Sequence, residues 1–238
     1  MTPRGTFALS LAALALLVSS ASDDRDPANP TCPKNPDWGP GTAMTLTKVD
    51  RGGKRILLGE GMIDSSLPDR IYNMVNADDL IEEIWLKSRG GDATAGNEAG
   101  KIIRSFPGMV TRIPKGWTCF SACNFVFMGG DRRKVDQGGI FMVHMFTYTG
   151  QRDVIQGSVE KGTDDTVELI GEIEQLSALL ASEDNDFLIR MGISRKLLTE
   201  VMYRQLATGG ANGQGERYCL SQDEVRKYNV MPVEQPAG

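Results

Sequence analysis

The chain has 238 residues, with 26 Lys and Arg against 31 Asp and Glu and a formal net charge of −5. The acidic residues are scattered rather than gathered in blocks, which argues against nucleic acid or an anionic membrane as the main partner. Once a leader is set aside, the remaining length suits one α/β domain with a proper core better than two small ones.

Arg4 precedes an apolar run from Phe7 to Val18, and Ser19, Ser20 and Ala21 follow it. The run falls short of the roughly twenty residues that cross a bilayer. With small residues at a cleavage position, residues 1–21 therefore read as a secretory signal peptide, and no cysteine stands there to carry a lipid anchor. No later segment is apolar enough for a membrane span, so an exported, soluble protein is expected, periplasmic or secreted. Residues 22–42 are rich in Pro, Asp, Asn and Gly and read as a flexible N-terminal arm, with Cys32 inside it able to tie it to the body. The domain then runs over residues 43–232, with a disordered tail at 233–238.

From Met44 onward strand and helix alternate. Met44 to Val49 and Arg55 to Met62 read as strands joined at Arg51-Gly52-Gly53. A helix follows from about Leu67, with Ser66-x-x-Asp69 resembling a capping box and Leu67, Ile71, Met74 and Val75 on one face. Leu80 to Leu86 is the next strand. Gly90, Gly91 and Gly96 punctuate a turn before a short helix carrying Ala99, Ile102 and Ile103, and Gly108 to Ile113 is strand again. This alternation implies right-handed crossovers and a largely parallel sheet. Ser121 to Met128 reads as a short helix, with Arg133 to Val135 and Gly139 to Phe146 as further strands. The longest helix spans Thr166 to Arg190, where Leu169, Ile173, Leu176, Leu180 and Phe187 form a stripe suited to a core or an oligomer seam. Further helices cover Arg195 to Leu206 and Gln222 to Tyr228, separated by a Gly-rich insertion from Gly209 to Gly215.

Three elements could carry chemistry. Ser121, in Thr118-Cys119-Phe120-Ser121-Ala122-Cys123, stands where a loop gives way to a helix. There a serine can be a nucleophile beside helix N-terminal amides, or simply an N-cap. His144 is the single histidine and lies in the apolar strand Ile140 to Phe146, as a hydrogen-bonded core residue or as a base. A general base for serine must titrate near neutrality, so a nucleophilic Ser121 would need His144. Ser88-Arg89-Gly90-Gly91-Asp92 follows a strand, and its glycines would let backbone amides approach a substrate carbonyl or would serve a plain helix-entry turn.

The order of these elements, with Gly129-Gly130-x-Arg132 between the serine and the histidine strand, resembles the proteolytic subunit of Clp protease and its exported relatives, from about Leu57 to Val230. The resemblance implies a ClpP/crotonase-like α/β fold, with repeated ββα units, a largely parallel sheet and a long C-terminal helical region. It implies Ser121 as nucleophile, His144 as general base, and Gly91 and Ala122 as backbone donors of an oxyanion hole. At the third catalytic position the family's aspartate is replaced by Arg217. Glu216 beside it is the candidate orienting carboxylate, or an exposed loop charge.

Four cysteines, Cys32, Cys119, Cys123 and Cys219, allow two disulfides in three pairings in an oxidising compartment. A Cys119–Cys123 bridge would staple the serine turn. Zinc at Cys119-x3-Cys123 would have only one histidine to recruit, and a cysteine nucleophile would oxidise after export. The expected activity is a serine hydrolase, an ATP-independent peptidase acting on peptide or protein segments. No metal or cofactor and no ATP-driven unfoldase is expected, and the chain is expected to self-associate. The alternatives are a ClpP-fold binding or assembly protein without turnover, and acyl-thioester chemistry.

Overall fold

In the computed structural model of the protein, residues 24–146, 148, 151–207 and 217–232 are described, the side chains of 202–207 excepted. The signal-peptide, tail and Gly-rich-insertion readings fall outside the described residues, as does Glu216.

The main sheet begins as a hairpin. β3 (Thr45–Arg51) runs antiparallel to β4 (Lys54–Glu60), closing on Gly52 and Gly53 at φ 60° and 76°. Two successive left-handed residues make the tight turn that matches strand twist, and glycine adopts them without a Cβ clash. β4 then pairs in parallel with β5 (Ile81–Lys87), β5 with β6 (Val110–Ile113), and β6 with β8 (Arg132–Val135), giving the order β3-β4-β5-β6-β8. A second sheet, in the order β10-β9-β7, joins β7 (Thr118–Phe120) in parallel to β9 (Ile140–Val143) and β9 antiparallel to β10 (Tyr218–Cys219). The fold is thus mixed α/β with a parallel sheet and a helical C-terminal region, as expected. β7 and β10 are additions to the expected elements, and β9 ends at Val143, so His144 follows the strand instead of lying within it.

α1 (Leu67–Asn76) buries Leu67, Ile71 and Val75, a one-turn repeat facing the core. The expected capping box at Ser66 does not form. Ser66 carries no side-chain cap bond; its hydroxyl lies 2.5 Å from Asp64 and accepts from Arg70 Nε at 3.0 Å. α2 (Ala93–Arg104) starts on Asp92, whose carboxylate accepts from the Ala95 N–H at 2.9 Å. Gly96, expected in the turn, lies inside this helix for a packing reason. A Cβ there would stand 2.6 Å from the Ala122 carbonyl oxygen, and one on Gly100 would stand 2.4 Å from that of Phe125. Two glycines one turn apart thus let α3 (Cys123–Met128) lie directly against α2.

α4 (Arg152–Lys161) buries no residue, and α5 (Thr163–Arg190) buries only Phe187 and Leu188. The stripe expected along α5 is therefore core at its C-terminal end alone, and Leu176 is exposed. α6 (Lys196–Ala207) and α7 (Gln222–Lys227) close the domain, the latter on a complete capping box between Ser221 and Glu224. Among the described residues no helix is long and apolar enough to cross a membrane.

The segment expected as a flexible arm carries β1 (Arg25–Asp26) and β2 (Asn29–Pro33), an antiparallel pair joined to β10 by a Cys32–Cys219 disulfide. A second disulfide joins Cys119 to Cys123. Oxidised sulfurs are neither zinc ligands nor nucleophiles, so both minor readings of these cysteines fail.

Arg133 fastens the C-terminal segment. It is 5% exposed and donates to the carbonyls of Val230 at 2.7 Å, Asn229 at 3.1 Å and Gly130 at 3.1 Å. Burial, with Arg104 nearby, pulls its guanidinium down to about 10, so it stays charged at neutral pH. Arg133→Met takes this donor from the Val230 and Asn229 carbonyls, while Gly130 keeps Arg104 at 2.7 Å, and is expected to cost about 3 kcal/mol, read as a lowered urea midpoint at unchanged slope.

Candidate active site

Ser121 occupies the junction between β7 and α3 at φ 58°, left-handed space that a non-glycine residue enters at a cost of about 1–3 kcal/mol. Two features hold it there. The Cys119–Cys123 disulfide spans the turn with its Cα atoms 5.3 Å apart. The second is Gly90, where a Cβ would lie 2.7 Å from both the Phe120 carbonyl oxygen and the Ser121 Cβ. Ser121 is not an N-cap: α3 is capped at Ala122 with no side-chain bond. Its Oγ instead lies 2.7 Å from His144 Nε2, the distance at which a hydroxyl donates to a neutral imidazole.

His144 is half-buried, immediately past the end of β9. Its ring lies against Phe120, centroids 4.7 Å apart, and Phe120 in turn meets Trp38 at 5.8 Å. The ring is thus packed against the element that delivers the serine, and through Trp38 against the N-terminal segment.

The Ser88 to Gly91 loop is built by β5 running on past Lys87. Ser88 N–H donates to the Thr118 carbonyl at 2.9 Å and the Ser88 carbonyl accepts from Phe120 N–H at 3.0 Å, which ties the loop to β7. The Ser88 hydroxyl accepts from Gly90 N–H at 3.0 Å. Gly91 sits at φ 146°, and a Cβ there would be 2.1 Å from the Ile63 carbonyl oxygen. In its parallel bridge to Ile63 the bonds are made by the neighbours: Ile63 N–H to the Gly90 carbonyl and Asp92 N–H to the Ile63 carbonyl. Gly91's own N–H is therefore turned away from that ladder. Among the described residues neither the Gly91 nor the Ala122 N–H donates to another group.

At the third position the register of β10 on β9, Tyr218 opposite Val143, brings the chain at Arg217 beside His144. Arg217 faces the N-terminal segment: its N–H donates to Asn29 Oδ1 at 2.9 Å, its guanidinium pairs with Asp26 at 3.0 Å, and it lies over the Trp38 ring at 5.6 Å.

A cavity opens at the serine, lined by Ser121, Ala122, His144, Phe125, Leu188 and Asp184 among others. Burial, reinforced by Glu183, pushes the Asp184 carboxyl up to about 6. The sequence reading missed Asp184, although a signal existed. It stands four residues after Leu180 and four before Leu188, so an acid interrupts the apolar stripe of α5. The reading also missed the roles of Ser88 as a loop brace and of Asp26 and Asn29 as partners of Arg217. Among the described residues no group of His, Cys, Asp or Glu is placed to hold a metal ion.

No protein-family model matches the chain, and no curated protein matches it. Among solved structures it is similar to a mutant of ClpP1 from Listeria monocytogenes, at 14% identity and TM-score 0.47, over 74% of this chain and 88% of that one. It is also similar to a mutant of a membrane-bound stomatin-specific protease, at 13% identity and TM-score 0.44, over 74% of this chain and 75% of that one.

Proposed function

We propose that the chain is an exported serine hydrolase of the ClpP-like fold, a peptidase that works without an ATP-driven unfoldase. The observation that carries this reading is the 2.7 Å approach of Ser121 Oγ to His144 Nε2, with the serine held in left-handed backbone and not serving as a cap. Ser121 Oγ attacks the substrate carbonyl carbon as His144 Nε2 takes the hydroxyl proton. The N–H groups of Gly91 and Ala122 hold the resulting oxyanion. Collapse breaks the C–N bond, and the imidazolium returns its proton to the departing amine. Water, deprotonated by the same imidazole, then cleaves the acyl ester and regenerates the serine. Glu216 is the candidate for orienting the ring. The two disulfides and the leader fit an oxidising compartment, and the exposed apolar residues of α5 fit self-association.

One observation favours a second reading, a binding protein of the same fold without turnover: Arg217 stands where the family places a carboxylate, and it is committed to Asp26. A fluorophosphonate probe separates the two. Wild-type protein is expected to be labelled stoichiometrically at Ser121, and neither Ser121→Ala nor His144→Ala is expected to react. Folded wild-type protein that stays unlabelled across the neutral range would leave the binding reading in place of the hydrolase.

A further inference from the structure

Asp184 projects from α5 into the cavity that Ser121 and His144 share, one turn before Leu188, which lines the same space. Phe125, Met128 and Phe141 supply apolar wall. Among the described residues the Asp184 carboxylate has no hydrogen bond and no ion pair, although other acids of this protein are paired: Glu83 with Lys54, Asp136 with Arg112, Asp26 with Arg217. A half-buried carboxylate without a partner is costly to the fold, and a cation entering the cavity would relieve that cost.

A second, independent acceptor lies in the same lining. Asn124 donates through Nδ2 to the Met142 carbonyl at 2.7 Å, which fixes its amide orientation and leaves the buried Oδ1 without a donor. Apolar walls with two unanswered acceptors suit a side chain with a long aliphatic stem and a donor-rich positive head.

We propose that Asp184 makes this cavity the specificity pocket of the Ser121 site, selecting substrates with lysine or arginine on the acyl side of the scissile bond. The proposal rests on the serine-hydrolase reading for its use in catalysis, but the cation-binding pocket itself does not depend on turnover. An apolar stem gains from Phe125, Met128 and Leu188, and the charged head gains a charge-assisted bond that norleucine, of similar stem length, cannot make.

Two measurements separate the pocket from the chemistry. Binding of p-aminobenzamidine to Ser121→Ala protein, followed by fluorescence at about pH 8 where the Asp184 carboxyl is ionised, is expected to weaken about 10- to 100-fold when Asp184→Asn is added. Asp184→Ser serves as the second variant, with thermal melting to confirm folding of both. In the wild type, fluorogenic peptides with lysine before the leaving group are expected to exceed norleucine counterparts in kcat/KM by at least about tenfold, and Asp184→Asn to abolish that ratio. Equal p-aminobenzamidine affinity with and without Asp184 overturns the proposal, as does a norleucine preference in the wild type. Asp184-dependent binding with no hydrolysis of either peptide supports the cation pocket and overturns the hydrolase reading instead.

Discussion

Ser121→Ala is expected to lower kcat/KM for peptide hydrolysis by about 100- to 1000-fold, His144→Ala by the same factor, and the double variant no further. The shared factor follows from the 2.7 Å pairing of Oγ and Nε2: the hydroxyl is a poor nucleophile without the ring to take its proton, and without the hydroxyl the ring has no proton to take. The size of the loss is set by the third position. In a complete triad the nucleophile is worth about a million-fold and the carboxylate alone about ten-thousand-fold, so a serine and histidine working without that carboxylate's full effect retain about a hundredfold dependence on the serine. Here Arg217, whose guanidinium is drawn to Asp26, stands in the chain beside His144 in place of a carboxylate, and the expected loss is sized for that replacement. Steady-state kinetics on variants with wild-type circular dichroism check it. A loss near a million-fold would assign the orienting role to Glu216, and Glu216→Gln alone should then reproduce about four decades of it. A loss below about threefold for Ser121→Ala would remove that residue from the chemistry.

What could be read from the sequence is what local chemistry decides. Gly52-Gly53 demands a hairpin wherever it falls between two strands, and the spacing of Leu67, Ile71 and Val75 identifies a buried helix face before any partner is known. The Ser-x-Gly-Gly order was legible as a pattern, but its purpose was not. Why Gly90 must be glycine depends on Phe120 and Ser121, thirty residues further on, and why Gly96 sits in a helix depends on the Ala122 carbonyl. β7 and β10 were missed because three and two residues carry no usable periodicity, and both become strands only through their pairing with β9. Ser121 looked like a cap because serine caps well in isolation. A disulfide across its turn and a histidine 23 positions away redirect its hydroxyl, and local propensity records neither. Ser66 failed as a capping box for a related reason: Asp64 and Arg70 offered its side chain better partners.

Replacing Cys32 and Cys219 together by alanine is expected to lower stability by about 5 kcal/mol, the larger effect of the two disulfides. The bond closes a loop of 187 residues in sequence, so it removes far more freedom from the unfolded chain than the Cys119–Cys123 bond, four residues apart, for which the same reasoning gives about 2 kcal/mol. Urea unfolding of the two double-alanine variants separates these contributions without a reductant that would break both bonds. The loss should also reach Ser121 and His144. Cys32 and Cys219 pack in a small cluster with Met142, and Trp38 and Phe120 lie against it. β10 holds β9 just before His144, and Trp38 backs the Phe120 ring on which the imidazole rests. Cutting the bond frees one end of that stack, so fluorophosphonate labelling of the Cys32→Ala/Cys219→Ala protein should slow even where most molecules remain folded. If stability falls by less than about 1 kcal/mol and labelling is unchanged, the N-terminal segment docks through Asp26, Asn29 and Thr31 alone. The disulfide would then secure a contact that the folded chain makes without it.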